Sequence, residues 1–69
     1  MNPAIWTSPA FQLNDDTCVD VKADEHGVVL GQLGESWLHN LHLTPTHSSA
    51  IGHALIEGSA KAIEAGATP

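Results

Sequence analysis

The stretch Leu43-Thr44-Pro45-Thr46-His47, running on through Ile51, Leu55 and Ile63 to Gly66, decides how this chain is built. It reads as one helix of about five turns over residues 44–65. Thr44 can accept a hydrogen bond from the free N–H groups of the first turn, and Pro45 suits the first helical position because its missing N–H is not needed there. Gly66 supplies the stop. His47 stands third in the helix, where the cap bond is made.

Outward from this helix, size limits what the rest can be. At 69 residues the chain is a single domain, 1–69, of a size that buries only about 60% of its unfolded surface. One cysteine, Cys18, excludes an intramolecular disulfide framework, and one thiol cannot build a thiolate metal cage. Oligomerisation is the remaining way to stabilise so small a fold. An apolar fraction of 42% with 14% charged residues belongs to a folded chain, with order expected from about Phe11 to Ala65.

Eight acidic residues stand against two lysines, for a formal charge of −6. Nucleic-acid binding needs cations that displace phosphate counterions, so it is disfavoured. An acidic surface keeps a small protein soluble or engages a basic partner. The start, Met1-Asn2-Pro3-Ala4-Ile5-Trp6, has neither the basic region nor the apolar run of a signal peptide, and no apolar run approaches the ~20 residues of a membrane span. The expected location is cytoplasmic, with no membrane or nucleic-acid partner.

Residues 1–10, with Pro3 and Pro9 around Ile5 and Trp6, read as a loosely structured arm whose tryptophan packs on the domain's core. Residues 11–43 read as strands. Phe11-Gln12-Leu13 is a short strand and Asn14-Asp15-Asp16 a turn. From Thr17 to Ala23, Val19 and Val21 alternate with Cys18, Asp20 and Lys22, the period of a half-buried strand. Asp24-Glu25-His26-Gly27 turns the chain into Val28-Val29-Leu30, forming a hairpin. After Gly31 and Gly34 a further strand carries Trp37, His39, Leu41 and Leu43 on one face, with Trp37 expected to join that strand to the helix. The fold class is α+β: an antiparallel meander of three to four strands, then one C-terminal helix packed on the sheet.

On the helix, His53, Glu57, Lys61 and Glu64 form a narrow polar strip, with Glu57 four residues before Lys61 as a favourable pair and His53 beside Glu57. The remaining arc is wider than one sheet contact requires. Ala50, Ala54, Gly58 and Ala62 recur every four residues, a small row that lets another backbone approach closely. Ile56 and Ile63 form a bulkier wing. Either the small row packs under the chain's own sheet, or one of these surfaces is a homodimer contact; the homodimer is the expectation.

His39, His42, His47 and His53 lie within fifteen residues and are the candidate metal ligands. Their spacing speaks against one site: His39 and His42 point to opposite faces of a strand, and His47 and His53 are well separated around a helix. Ser48, Ser49 and Ser59 lack a nucleophile-elbow pattern, Asp15 to Glu25 lacks the alternating ligands of a calcium loop, and Gly31-Gln32-Leu33-Gly34 is too short to cradle phosphate. No catalytic residue, no cofactor and no enzyme is expected. Cys18 reads as a small, half-buried apolar residue.

The Leu41-His42-Leu43-Thr44-Pro45 lead, with Ala50-Ile51-Gly52 and Ala54-Leu55-Ile56 at helical spacing, resembles the C-terminal half of small uncharacterised proteins of actinobacteria and their phages. The arginine-free chain departs from commoner members, which often carry arginine in this helix. The resemblance covers residues 37 to 65, implies no activity, and favours a small accessory or host-modulating protein. Two function classes follow. One is a non-enzymatic, homodimeric interaction module that modulates another protein through its acidic surface. The other is a metal- or pH-responsive oligomer whose histidines meet on assembly, since five histidines titrating below neutrality would remove much of the negative charge.

Overall fold

The structure, a computed structural model, describes residues 5–69. Five strands precede one helix: β1 Trp6–Thr7, β2 Phe11–Asn14, β3 Thr17–Asp24, β4 Gly27–Leu33, β5 Leu38–Leu43 and α1 Pro45–Glu64. Every strand pairing is antiparallel, in one sheet ordered β1-β3-β4-β5 with β2 also on β3. The helix follows and packs on the sheet, so the α+β architecture is as the sequence indicates. One strand is added to the expected three or four: Trp6–Thr7, within the segment read as a loosely structured arm, pairs with Ala23 and Lys22. Residues 1–4 of that arm lie outside the described residues.

Local chemistry explains each connection. In the β3–β4 turn, the backbone N–H of His26 donates to Asp24 Oδ1 at 2.7 Å, and Gly27 takes φ +138°. A side chain at Gly27 would also put its Cβ 2.6 Å from the Leu43 carbonyl oxygen, so backbone conformation and close approach both demand glycine there. The Asn14 side chain closes the β2–β3 turn by accepting from the Asp16 N–H at 3.1 Å. Along the outer side of β3, Ser8 N–H donates to the Val21 carbonyl at 2.8 Å, and the Ser8 hydroxyl accepts from the Val21 N–H at 2.9 Å. Pro9 follows with no N–H to offer, so the ladder breaks and resumes at Phe11 opposite Val19.

The helix ends where its residues dictate. Thr44, extended at φ −71° and ψ 159°, caps it by accepting from the His47 N–H at 3.1 Å, with Pro45 in the first turn. At the far end Gly66 adopts φ +107°; its N–H donates to the Ile63 carbonyl at 3.0 Å and that of Ala67 to Ala62 at 2.9 Å, a Schellman closure.

Register assigns the sheet faces, because residues directly opposite each other share one. Val19, Val21 and Ala23 stand across from Gln32, Leu30 and Val28, and these from His39, Leu41 and Leu43. Phe11 and Trp6 join this apolar face through Val19 and Ala23. The opposite face carries Cys18, Asp20, Lys22 and Asp24 with Val29, Gly31, Asn40 and His42, and at one end the exposed Leu33 and Leu38. The helix lies on the apolar face. Its two half-buried residues are Ser48 and Gly52, and with Ile51 and Leu55 they border a cleft whose other wall is Val21, Val28, Leu30 and Leu43.

Candidate interaction surface

The sheet–helix junction covers little of the apolar surface that the sequence supplies. Among the described residues no hydrophobic side chain is buried, and the single buried residue is Gly31. A compact domain of 7.2 kDa exposes about 4,100 Å², whereas this chain exposes 5579 Å². Its radius of gyration is 13.8 Å, against about 11 Å for a compact fold of this length.

The uncovered surface is continuous in kind. On the sheet it includes Leu41, 52% exposed, with Phe11 and Trp6 on the helix-bearing face and Leu33 and Leu38 on the other. On the helix, the stripe that meets the sheet at Ser48 and Gly52 continues through Leu55, Ser59 and Ile63 at helical spacing, and all three are exposed. Leu55 is 65% and Ile56 72% exposed. One flank of the stripe is an open apolar groove along Ile51, Ala54, Leu55, Gly58 and Ala62. Nothing lies within 4 Å of where a Cβ on Gly58 would be. Ala50, Ala54, Gly58 and Ala62 are therefore exposed, as are Ile56 and Ile63 on the other flank. The small residues that sit under the chain's own sheet are Ser48 and Gly52, which the four-residue spacing from Ala50 did not single out.

Several side chains stand elsewhere than expected. Trp37, expected to join the last strand to the helix, is seen against the β4–β5 turn. It precedes β5, is 40% exposed, and its ring lies against Gly34 and edge-on to His39 at a centroid separation of 5.7 Å. Trp6 and Phe11 are both more than half exposed and so are not packed in a core. Lys61 pairs with Glu64 at 3.6 Å in place of Glu57, and Lys22 pairs with Asp20 at 3.0 Å. Cys18 is half-buried on the polar face of β3.

His39 and His42 fall on opposite faces of β5, and His47 and His53 lie at exposed positions six apart on the helix. Among the described residues no three His, Cys, Asp or Glu side chains are grouped so as to hold a metal ion. The polar face presents Asp20 and Asp24, and at the β2–β3 end Asp15, Asp16 and Glu35 border one shallow depression. Among the described residues no helix is long and apolar enough to cross a membrane.

No protein-family model, no curated protein and no solved structure matches the chain.

Proposed function

We propose that this chain is a small, acidic, non-enzymatic protein–protein interaction module whose folded unit is a homodimer. The observation that carries this reading is the absence of any buried hydrophobic side chain among the described residues. Hydrophobic burial is the dominant favourable term in folding, so a well-formed sheet and helix with an open apolar face call for a second surface. The excess exposure of roughly 1,450 Å² over a compact domain exceeds the ~800 Å² per partner of a standard interface. The sheet face that carries Asp20 and Asp24 is left for another protein with a basic surface, as suits an accessory or host-modulating protein.

Light scattering coupled to size exclusion tests the assembly: a mass of two chains at tens of micromolar is expected, and a mass near the 7.2 kDa of one chain overturns it. Stoichiometric zinc in the purified protein would favour a metal-dependent oligomer instead. A captured partner should be released by salt and should bind more weakly to a chain carrying Asp20→Asn and Asp24→Asn.

A further inference from the structure

We infer that the outer edge of β5 is the seam of this homodimer: two copies pair antiparallel through Leu38–Leu43, with Asn40 on the two-fold axis, forming one continuous sheet that carries both helices on the same face. The inference rests on the homodimer reading and adds the surface and the register.

The hydrogen-bond phase of β5 shows what its edge offers. Across the β4–β5 turn the Gly34 N–H donates to the Trp37 carbonyl at 2.9 Å, which makes Trp37 a hydrogen-bonded position facing β4. In an antiparallel ladder these positions alternate. His39, Leu41 and Leu43 therefore direct their N–H and C=O groups at Gln32, Leu30 and Val28. Leu38, Asn40 and His42 direct theirs outward, and β5 is the last strand in the sheet order. Three donors and three acceptors thus line an edge whose pairing with β4 runs unbroken from Leu38 to Leu43.

Natural sheets blunt such edges with prolines, charges, bulges or very short strands. The opposite edge of this sheet has that protection: β1 is two residues long, Pro9 interrupts the ladder, and the register slips between Gln12 and Asn14. Leu38-His39-Asn40-Leu41-His42-Leu43 has no proline, lysine, carboxylate or bulge. An edge so unprotected, beside one so protected, is an edge that is used.

Two features identify the occupant as a second copy. First, none of the eight acidic residues and neither lysine falls between Ser36 and Ile56, so the segment that builds the edge and the first half of the helix is free of fixed charge. A chain of net charge −6 can meet itself there without bringing like charges together, whereas a basic partner would be drawn to the carboxylates elsewhere. Second, the outward groups are symmetric about Asn40. Pairing Asn40 with its own copy sets Leu38 against the partner's His42 and satisfies all six groups of each chain. On the apolar face the same register sets His39 against the partner's Leu41 and Trp37 against the partner's Leu43. An axis normal to the sheet keeps both apolar faces and both helices on one side of the joined sheet.

The test is residue-resolved amide hydrogen exchange by NMR on the wild-type protein, at a concentration where its mass is known from light scattering. At a dimeric mass, the amides of Leu38, Asn40 and His42 are expected to be slowed as much as those of His39, Leu41 and Leu43. A dimeric mass with fast exchange at Leu38, Asn40 and His42 overturns the seam and leaves the homodimer reading standing; the mass of one chain overturns both. Asn40→Pro supplies a second measurement, since it deletes an outward N–H and no bond to β4. Its mass is expected to fall to one chain, and a fully dimeric Asn40→Pro also overturns the seam.

Discussion

The indole of Trp37 lies directly against Gly34 across the β4–β5 turn, so close that a Cβ at residue 34 would overlap the Nε1 side of the ring. The glycine is the floor on which the tryptophan rests, and the Gly34 N–H to Trp37 carbonyl bond of 2.9 Å ties the same two residues through the backbone. Gly34→Ala must displace the ring, with an expected loss of about 1–3 kcal/mol, the usual cost of inserting a methyl group into a filled space. In a Trp37→Ala background the same change should cost much less. Urea denaturation of the four chains in this cycle measures the coupling. Equal costs in both backgrounds would show that the ring moves aside freely.

The helix entry depends on Thr44, whose hydroxyl holds the His47 N–H at 3.1 Å. Thr44→Ala is expected to lower stability by about 1 kcal/mol and Thr44→Ser to retain most of it. Thermal unfolding of both variants decides this. A Ser variant as unstable as the Ala variant would mean that the threonine methyl group, rather than the hydroxyl, holds this junction.

How much of this was legible in the sequence differs by element, for physical reasons. The helix was legible to the residue at both caps, because Thr44, Pro45 and Gly66 act locally and need no knowledge of the rest of the fold. The β3–β4 hairpin was legible too, through alternation and the Asp24-to-Gly27 turn. Strand β1 was hidden, because two residues beside a proline carry no period and their pairing with Ala23 and Lys22 is purely tertiary. The position of Trp37 was hidden for a related reason. Parity placed it on the apolar face, but parity does not say how far along that face the helix reaches, and the helix engages the sheet with Ser48 and Gly52 near its start. The β5 edge was missed because strand order and hydrogen-bond phase are invisible to composition. The charge-free run from Ser36 to Ile56 was the signal that could have pointed to it.

Tryptophan emission should report assembly. With the seam at β5, Trp37, 40% exposed in the single chain, faces the partner's Leu43 and loses water on association. In a Trp6→Phe background, dilution through the concentration range in which the mass halves should shift Trp37 emission to the red. Constant emission across that range would place the interface away from Trp37.

The last prediction separates the two open flanks of the helix. A Cβ on Gly58 would meet nothing within 4 Å, so within one chain Gly58→Ala and Gly58→Leu both have room, and both raise helix propensity by up to about 1 kcal/mol over glycine. Across a two-fold axis the two variants part company. Alanine keeps the small row of Ala50, Ala54 and Ala62 continuous, whereas leucine holds the neighbouring backbone away. Gly58→Ala is expected to remain dimeric with equal or higher melting temperature, and Gly58→Leu to dissociate or to lose stability as the protein is diluted. Light scattering on both separates the helix flanks: a fully dimeric Gly58→Leu removes the small row from the contact and leaves the wing of Ile56 and Ile63, for which Ile56→Asp is the corresponding change.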